Sequence, residues 1–186
     1  HHLTLEMMKM FHAMTDLETF STAPNAVILQ LAAVQFDPFS DRIGPVFNVP
    51  IDPQSCQDAG LHMDLNTVLW WMNQSDEARK RVAFVTRKRE DLKTALKDFA
   101  HWLPKDTKIW GNGAAFDLPI LESAYRACKM STPFKHWNER CYRTMKSLAP
   151  HVKMERVGVH HDALDDAVSQ AKHLQTIIKA LGLKNV

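Results

Sequence analysis

The longest run of strand-forming residues constrains the fold of this chain more than any other feature. Residues 26–36, AVILQLAAVQF, are apolar and rich in β-branched side chains, which predicts a buried β-strand. Shorter strand patterns at residues 9–16 and 42–49 flank this run, and short links separate the three. Three consecutive strands with short links are typical of an antiparallel meander. The beginning of the chain therefore predicts the start of a β-sheet.

The rest of the chain alternates between helical and strand patterns. Helices are predicted at about residues 66–82, 90–103, 118–129 and 163–181, and strands at about residues 108–112 and 140–145. The last helix has the clearest pattern, because its apolar residues recur at three- and four-residue steps and Gly182 follows as a stop signal. This order predicts an α/β fold in which helices pack on the faces of one mixed sheet.

Length and composition allow one globular domain and exclude several other classes. A chain of 186 residues can bury a substantial core, so we expect a single domain over residues 3–186, preceded by His1 and His2 as the remnant of an affinity tag. A hydrophobic fraction of 45% and a charged fraction of 24% exclude a disordered chain or a coiled coil. No apolar run approaches the ~20 residues that span a membrane, and we expect no signal peptide.

Net charge and cysteine usage bear on partners and location. A formal net charge of +2 permits an anionic partner without requiring one. Cys56, Cys128 and Cys141 are widely spaced and include no CxxC pair, which argues against a zinc site or a disulfide framework. We therefore expect three free thiols, a cytoplasmic location and no membrane partner.

Acidic residues stand at two strand ends in positions that suit metal binding. Asp16 and Glu18 are two residues apart near the end of the first predicted strand, so both side chains face the same side and could hold a divalent cation. Two solvated acids at a turn are the alternative. Asp117 ends the segment GNGAAFD after the fourth predicted strand. Taken alone, Asp117 is more readily explained as the N-cap of the helix that follows.

The segment HHDALDD at residues 160–166 carries the densest chemistry. His161 precedes the last helix and Asp166 lies in its first turns, and a five-residue gap lets both face one cleft. Asp162 is predicted to cap the helix, and Asp165 diverges from Asp166 by about 100°. A polar helix start with acids near the positive end of the helix dipole is the alternative. Four carboxylates and one histidine are nevertheless the set that two-metal phosphodiester hydrolysis uses.

The combination of DxE, GNGAAFD and HxxxxD, in this order, resembles the DEDD superfamily of 3′–5′ exonucleases in its histidine branch, the DEDDh or DnaQ-like enzymes. The resemblance spans about residues 11–181. The segments DLETFSTAPNAVILQLAAVQFDP, TVLWWMNQSDEARK and WNERCYRT are similar to the group of phage exonuclease A and bacterial 3′–5′ exoribonucleases. Gly113 departs from the asparagine that many relatives carry four positions before the third aspartate. Cys141 stands where some relatives have aspartate before the Arg-Thr pair.

The resemblance implies a fold and a set of site residues. The fold is ribonuclease-H-like, with five strands of which the first three are antiparallel and the others parallel to the first. The implied ligands of two Mg²⁺ or Mn²⁺ ions are Asp16, Glu18, Asp117 and Asp166. His161 is the implied general base, and Thr19 would meet the 3′-hydroxyl of the terminal sugar. One of Trp70 and Trp71 could stack on the terminal base, with core packing as the alternative.

The function that follows is metal-dependent 3′–5′ exonuclease activity, releasing 5′-nucleoside monophosphates from single strands or 3′ overhangs. RNA is favoured because the nearer relatives include exoribonucleases, DNA stays open, and a phage or prophage source is implied. A homodimer is one option for the oligomeric state. Two rivals remain. One is a nucleic-acid-binding module of the same fold with a decayed site. The other is an HD-type phosphohydrolase, suggested by His161-Asp162 but opposed by the strand-rich beginning of the chain.

Overall fold

Five strands form one mixed sheet in the computed structural model, which describes residues 10–82 and 88–186. They are β1 (His12–Thr19), β2 (Ile28–Phe36), β3 (Ile43–Pro50), β4 (Lys108–Gly111) and β5 (Glu139–Cys141), in the spatial order β3-β2-β1-β4-β5. The first three strands pair antiparallel, whereas β4 is parallel to β1 and β5 is parallel to β4. The predicted topology is confirmed, and the all-helical HD-type alternative is wrong.

Helices cover both faces of this sheet. Those described are α1 (Pro53–Asp58), α2 (Leu65–Met72), α3 (Asp76–Val82), α4 (Leu92–Trp102), α5 (Ala114–Ala127), α6 (Tyr142–Leu148) and α7 (Ala163–Leu181), together with a 3₁₀ turn at His136–Asn138. Ala13 and Leu17 of β1 join a core with α4 and α5, whereas Met14 joins a second core with α6 and α7. Because side chains alternate along a strand, Asp16 and Glu18 share the α7 face of β1 with Met14.

The region predicted as one helix over residues 66–82 is two helices. α2 ends at Met72, and Ser75 accepts a hydrogen bond from the Ala78 N–H in the first turn of α3. A serine side chain that bonds the backbone in this way favours a helix start over a helix interior. The N-cap of α2 is Asp64, whose side chain accepts from the Asn66 N–H.

Other predicted boundaries also shift. β1 continues three residues beyond Asp16, so the acidic pair lies inside the strand, because its ladder with β2 extends to Thr19. The segment at residues 50–60, expected as loop, contains α1, which begins after Asp52 accepts from the Gln54 N–H. The fifth strand ends at Cys141, and the next residue opens α6. The bounds of α7 agree with the prediction, and Asp162 is its N-cap, as predicted.

The predicted tag remnant at residues 1–2 and the first residue of the strand predicted at 9–16 lie outside the described residues. Among the helices that the structure describes, none combines the length and apolar character that a bilayer crossing requires. A single domain over residues 3–186 stays a prediction.

Candidate active site

Asp117 lies beside β1, in the gap left where the pairing of β1 with β4 ends. β1 pairs with β2 along nearly its whole length, but with β4 only over residues 12–14. α5 begins shortly after β4 and places Asp117 in this gap, where its Oδ1 accepts a hydrogen bond from the Leu17 N–H at 3.3 Å. A Cβ at Gly111 would lie 3.3 Å from Asp117 Oδ2, so glycine permits the close approach. Asp117 is the fourth residue of α5, and the N-cap alternative is wrong because the helix starts earlier, after Gly113.

Carboxylates from β1 and α7 converge on the same place. One carboxylate oxygen from each of Asp16, Glu18 and Asp166 lies within 4.8 Å of the other two. Gln170, one turn after Asp166 on α7, donates from Nε2 to Asp16 Oδ1 at 3.3 Å and joins the helix to the strand. With Asp117, the four predicted carboxylates line one cleft of about 350 Å³.

Burial and mutual repulsion make these carboxyl groups hard to ionise in the absence of a cation. Burial raises the pKa of Asp16 well above its usual value, and the negative charges of Asp117, Glu18 and Asp166 raise it further. Burial and the charges of Asp166 and Asp117 raise the pKa of Glu18 in the same direction. Burial raises the pKa of Asp117 to about 7, even though backbone N–H groups of Leu17 and Asn112 stabilise its charge. A site of this kind favours either protons or positive ions.

At the start of α7, hydrogen bonds orient Asp166, whereas the neighbouring Asp162 and Asp165 bond to backbone N–H groups outside the carboxylate cluster. Asp166 Oδ2 accepts from the His161 N–H at 3.2 Å, and its Oδ1 is paired with the guanidinium of Arg156. Asp162 accepts from the Asp165 N–H as the helix cap. Asp165 Oδ2 accepts from the Val159 N–H at 2.8 Å and thereby holds the preceding loop. Of the acids in this segment, Asp166 is the one that lines the cleft.

His161 lies at the cleft in a left-handed backbone conformation, with φ of 63°. Its ring stacks on that of His160 at 3.8 Å between centroids and meets the Trp70 ring edge-on at 4.9 Å. Burial lowers the pKa of His161, and the positive charges of His160 and Arg156 outweigh the opposing effect of Asp166. The neutral imidazole, which can accept a proton, is therefore favoured.

The two tryptophans of α2 have different environments. Trp71 is buried, and its Nε1 donates to the Thr19 carbonyl at 2.8 Å. Trp70 is 44% exposed and packs against Trp71 at 4.9 Å between ring centroids. The Thr19 hydroxyl donates to the Ser21 carbonyl at 2.7 Å and belongs to a buried residue. Trp71 and Thr19 therefore form a support beneath Trp70, whose partly exposed ring lies beside that of His161.

The glycine that departs from the family pattern makes room for an arginine. Gly113 has φ of 86°, a left-handed conformation that favours glycine, and a Cβ there would lie 3.0 Å from Arg143 Cζ. Arg143 donates to the Asn112 carbonyl at 3.0 Å and lines the cleft together with Lys146. The guanidinium of Arg143 thus occupies the space into which a side chain at position 113 would project.

Cys141 takes the role of a hydrogen-bond acceptor at the starts of α5 and α6. Burial alone would raise the pKa of its thiol, but hydrogen bonds from the Thr144 side chain and from the N–H groups of Ala114, Thr144 and Gly113 lower it to about 7. An aspartate at this position could accept hydrogen bonds from the same N–H groups. Neither departure removes a carboxylate from the cleft.

Gln170 and Arg156 are cleft residues that were absent from the sequence-derived set, as were Arg143 and Lys146. Gln170 had a usable signal, because it follows Asp166 by four residues and therefore shares its side of α7. Arg156 had none, because it lies in irregular chain before the helix, where no periodicity predicts the direction of a side chain.

The chain matches the family of the 3′–5′ exoribonuclease Rv2179c-like domain over residues 11–178. It belongs to this family. Among curated proteins, an exodeoxyribonuclease of Enterobacteria phage T4 is 29% identical over an alignment 163 positions long, and the match covers 73% of this chain and 70% of the phage protein. The predicted likeness to phage exonucleases and bacterial 3′–5′ exoribonucleases is confirmed.

Solved structures place this family member in the ribonuclease-H-like fold of the DEDDh exonucleases. The nuclease domain of 3′hExo, a DEDDh family member bound to rAMP, superposes with a TM-score of 0.62 at 13% identity, covering 90% of this chain and 91% of that domain. E. coli exonuclease I in complex with a dT13 oligonucleotide superposes with a TM-score of 0.60 at 15% identity. That match covers 95% of this chain and 42% of exonuclease I. At such identities these structures show the fold alone.

The four carboxylates fit the divalent cations that DEDDh enzymes use. All the donors are carboxylate oxygens, the hard ligands that Mg²⁺ and Mn²⁺ prefer over zinc. Three of the four groups have a pKa raised by burial, so the cleft gathers negative charge that the surrounding protein stabilises poorly. Asp16, Glu18 and Asp166 are close enough to share one ion.

Proposed function

We propose that this family member is a metal-dependent 3′–5′ exonuclease that releases 5′-nucleoside monophosphates from single-stranded nucleic acid by two-metal hydrolysis. The observation that carries the proposal is the convergence of Asp16, Glu18, Asp117 and Asp166 with His161 in one cleft. β1, α5, α7 and the irregular chain before α7 supply these side chains from distant parts of the sequence. A fold alone does not require five chemically matched residues to meet, which favours a working site over a decayed one.

The four carboxylates would hold two Mg²⁺ or Mn²⁺ ions. Bound ions of this kind lower the pKa of water and stabilise charge on the leaving oxygen. The protein contributes an acidic cleft whose ligands come from rigid elements, a strand and two helices. Gln170 steadies Asp16 by donating to its Oδ1.

His161 would act as the general base. Its imidazole is biased to the neutral form, and its backbone N–H bond to Asp166 keeps the ring beside the metal ligands. The pairing of Asp165 with Val159 supports this assignment, because it leaves Asp166 as the residue of α7 that joins the carboxylate cluster.

Trp70 would stack on the terminal base, since aromatic stacking tolerates any base and the ring is exposed beside His161. Trp71 would support Trp70 from beneath. Thr19 would meet the 3′-hydroxyl of the terminal sugar, with its hydroxyl oxygen free to accept while its proton bonds Ser21.

RNA is the favoured substrate, because the matching family is described as a 3′–5′ exoribonuclease domain. DNA is the competing substrate, because the phage T4 relative is an exodeoxyribonuclease. A cytoplasmic location and a homodimer are further parts of the proposal. The three cysteines are free, which suits a reducing compartment, and light scattering would measure the oligomeric state.

A time course on 5′-labelled single-stranded RNA and DNA of the same sequence tests the proposal. With Mg²⁺ or Mn²⁺ the label should move down a ladder one nucleotide at a time, and a strand blocked at its 3′ end should resist. Excess chelator should stop the reaction. Cleavage of a circular single strand would contradict an exonuclease, and binding without turnover in either metal would instead favour the non-catalytic module.

A further inference from the structure

Asp166 differs from the other three carboxylates of the cleft in its direct ion pair with an arginine. The guanidinium of Arg156 bonds its Oδ1, while the His161 N–H bonds its Oδ2. The side chain of Asp166 is 11% exposed and that of Arg156 is 35% exposed, so the pair lies at the edge of the cleft. Both oxygens of this proposed metal ligand are therefore occupied by protein donors.

The chain around Arg156 is fastened to α7, which fixes where the guanidinium can reach. The next residue, Val157, donates its N–H to Ser169 Oγ at 2.8 Å and accepts from the same hydroxyl at 3.3 Å. Val159 is held by Asp165. If the guanidinium leaves Asp166, its backbone stays in place and the head group remains within the cleft that it already lines.

A divalent cation on Asp166 would compete with this ion pair. The cation and the guanidinium are both positively charged, so they would repel each other if both bound the same carboxylate. This repulsion grows as water is excluded. Arg143 and Lys146 line the same cleft and add positive charge to it. A guanidinium released there would meet the phosphate of a nucleotide, which its planar fork can bind with two hydrogen bonds.

We propose that Arg156 is a positioning residue with two binding states. In the metal-free cleft it neutralises Asp166, and when a divalent cation binds it turns to a phosphate oxygen of the substrate. This inference rests on the proposed function for the identity of the phosphate ligand. Its first half, competition with the cation, concerns metal binding alone and is independent of turnover.

The first test is a calorimetric titration of Mn²⁺ into the nucleotide-free wild type, Arg156→Gln and Arg126→Gln. Arg126 is exposed in the last turn of α5, so its variant matches the loss of charge without touching the cleft. Arg156→Gln should bind Mn²⁺ about 2- to 5-fold more tightly, the range expected when a partly exposed ion pair no longer competes. Arg126→Gln should bind it as the wild type does. Unchanged or weaker Mn²⁺ binding by Arg156→Gln would overturn the proposal.

The second test measures binding of uridine 5′-monophosphate, which has no phosphodiester bond to cleave, with and without saturating Mn²⁺. Loss of a charge-assisted hydrogen bond should weaken nucleotide binding by Arg156→Gln about 10-fold or more in Mn²⁺. Without Mn²⁺ the variant and the wild type should bind it alike, because Arg156 is then engaged by Asp166. Equal losses in both conditions would show that Arg156 binds phosphate without switching, and would overturn the proposal.

A third measurement needs no folded Gln variant. The Nε–H NMR signal of Arg156, assigned from its absence in Arg156→Lys, should shift when Mg²⁺ is added to the wild type. A signal that stays in place while Mg²⁺ binds would overturn the proposal. If no variant or wild-type protein hydrolyses nucleic acid, the proposed function fails while the metal titration still decides the competition.

Discussion

The cleft has two walls that stabilise their acidic groups in opposite ways. The sheet wall, formed by Asp16, Glu18 and Asp117, consists of buried carboxyl groups whose pKa values are raised by burial. The helix wall, formed by Asp166 and His161 at the start of α7, is compensated by the Arg156 guanidinium and by a backbone N–H. Cation binding must therefore remove protons from one wall and displace an ion pair from the other.

The difference also concerns how each wall is held. Asp16 and Glu18 are placed by a regular strand, and Asp117 by a helix that begins directly after β4. His161 is placed by irregular chain with a left-handed backbone, tied down by side-chain hydrogen bonds. The sheet wall would thus be a rigid source of the proposed ligands, and the helix wall would combine one proposed ligand with the proposed general base.

Removing a carboxylate from the sheet wall should have the largest effect. Asp16→Asn should abolish nearly all turnover, yet leave the metal-free protein at least as stable, because asparagine resembles the protonated acid that burial favours. Mn²⁺ should stabilise the wild type against heat by binding its native state and should fail to stabilise the variant. Asp98→Asn on the exposed surface of α4 is the matched control. Full activity in Asp16→Asn would remove this wall from the mechanism.

The next largest effect should come from the helix wall. His161→Ala should lower kcat by about 10²–10⁴-fold, the usual contribution of a general base, with little change in Mn²⁺ binding. The wild-type rate should rise with pH through the pKa of His161, which lies below 6.5, and this acid limb should vanish or shift in the variant. His160→Ala should cost far less. If His160→Ala were the more damaged enzyme, the assignment of His161 as the general base would be wrong.

The tryptophan pair at the edge of the helix wall should separate substrate binding from stability. Trp70→Ala should raise KM by about 5- to 150-fold, which corresponds to the ~1–3 kcal/mol of one stacked base, and leave Tm nearly unchanged. Trp71→Ala should lower the free energy of unfolding by about 3–5 kcal/mol, because it removes a buried aromatic side chain. Michaelis–Menten kinetics and thermal melts of both variants decide between these roles. A larger KM effect at Trp71 would reverse the assignment.

The smallest effect expected is a pH dependence of stability without metal. Because folding raises the pKa of Asp117 from 3.8 to about 7, its contribution is fully present below pH about 4 and is lost as the pH rises through about 7. The Tm of the metal-free protein should therefore fall across this range, and Asp117→Asn should flatten the profile. Saturating Mn²⁺ should also oppose the fall. A wild-type profile identical to that of Asp117→Asn would show that the ionisation of Asp117 does not contribute to the pH dependence of stability.

The sequence was sufficient where regular periodicity carried the information. The apolar run at residues 26–36, rich in β-branched side chains, predicted a strand. The three- and four-residue steps predicted the bounds of α7, and the spacing of Asp16 and Glu18 predicted that both lie on one face. Asp117 was ambiguous from the residues alone, because an acid near a helix start is typical of both a cap and a ligand. Its role depends on the gap beside β1, which arises only when β4 ends early.

Features that leave no periodic pattern in the sequence were not predicted. The split between α2 and α3 depends on a local serine hydrogen bond that competes with a continuous apolar pattern. Arg156 lies in chain without periodicity, and its partner Asp166 follows ten residues later. The space above Gly113 is filled by Arg143, a contact between segments 30 residues apart that no local pattern indicates.

Calorimetric titration of Mn²⁺ at pH 7, in two buffers of different ionisation enthalpy, tests most directly whether the two walls form one metal site. We predict two ions per chain, with net release of protons as the sheet wall ionises. Binding should be strongly weakened both in Asp16→Asn, which alters the sheet wall, and in Asp166→Asn, which alters the helix wall. Absence of binding to the wild type, or equally tight binding that survives in both variants, would contradict the account.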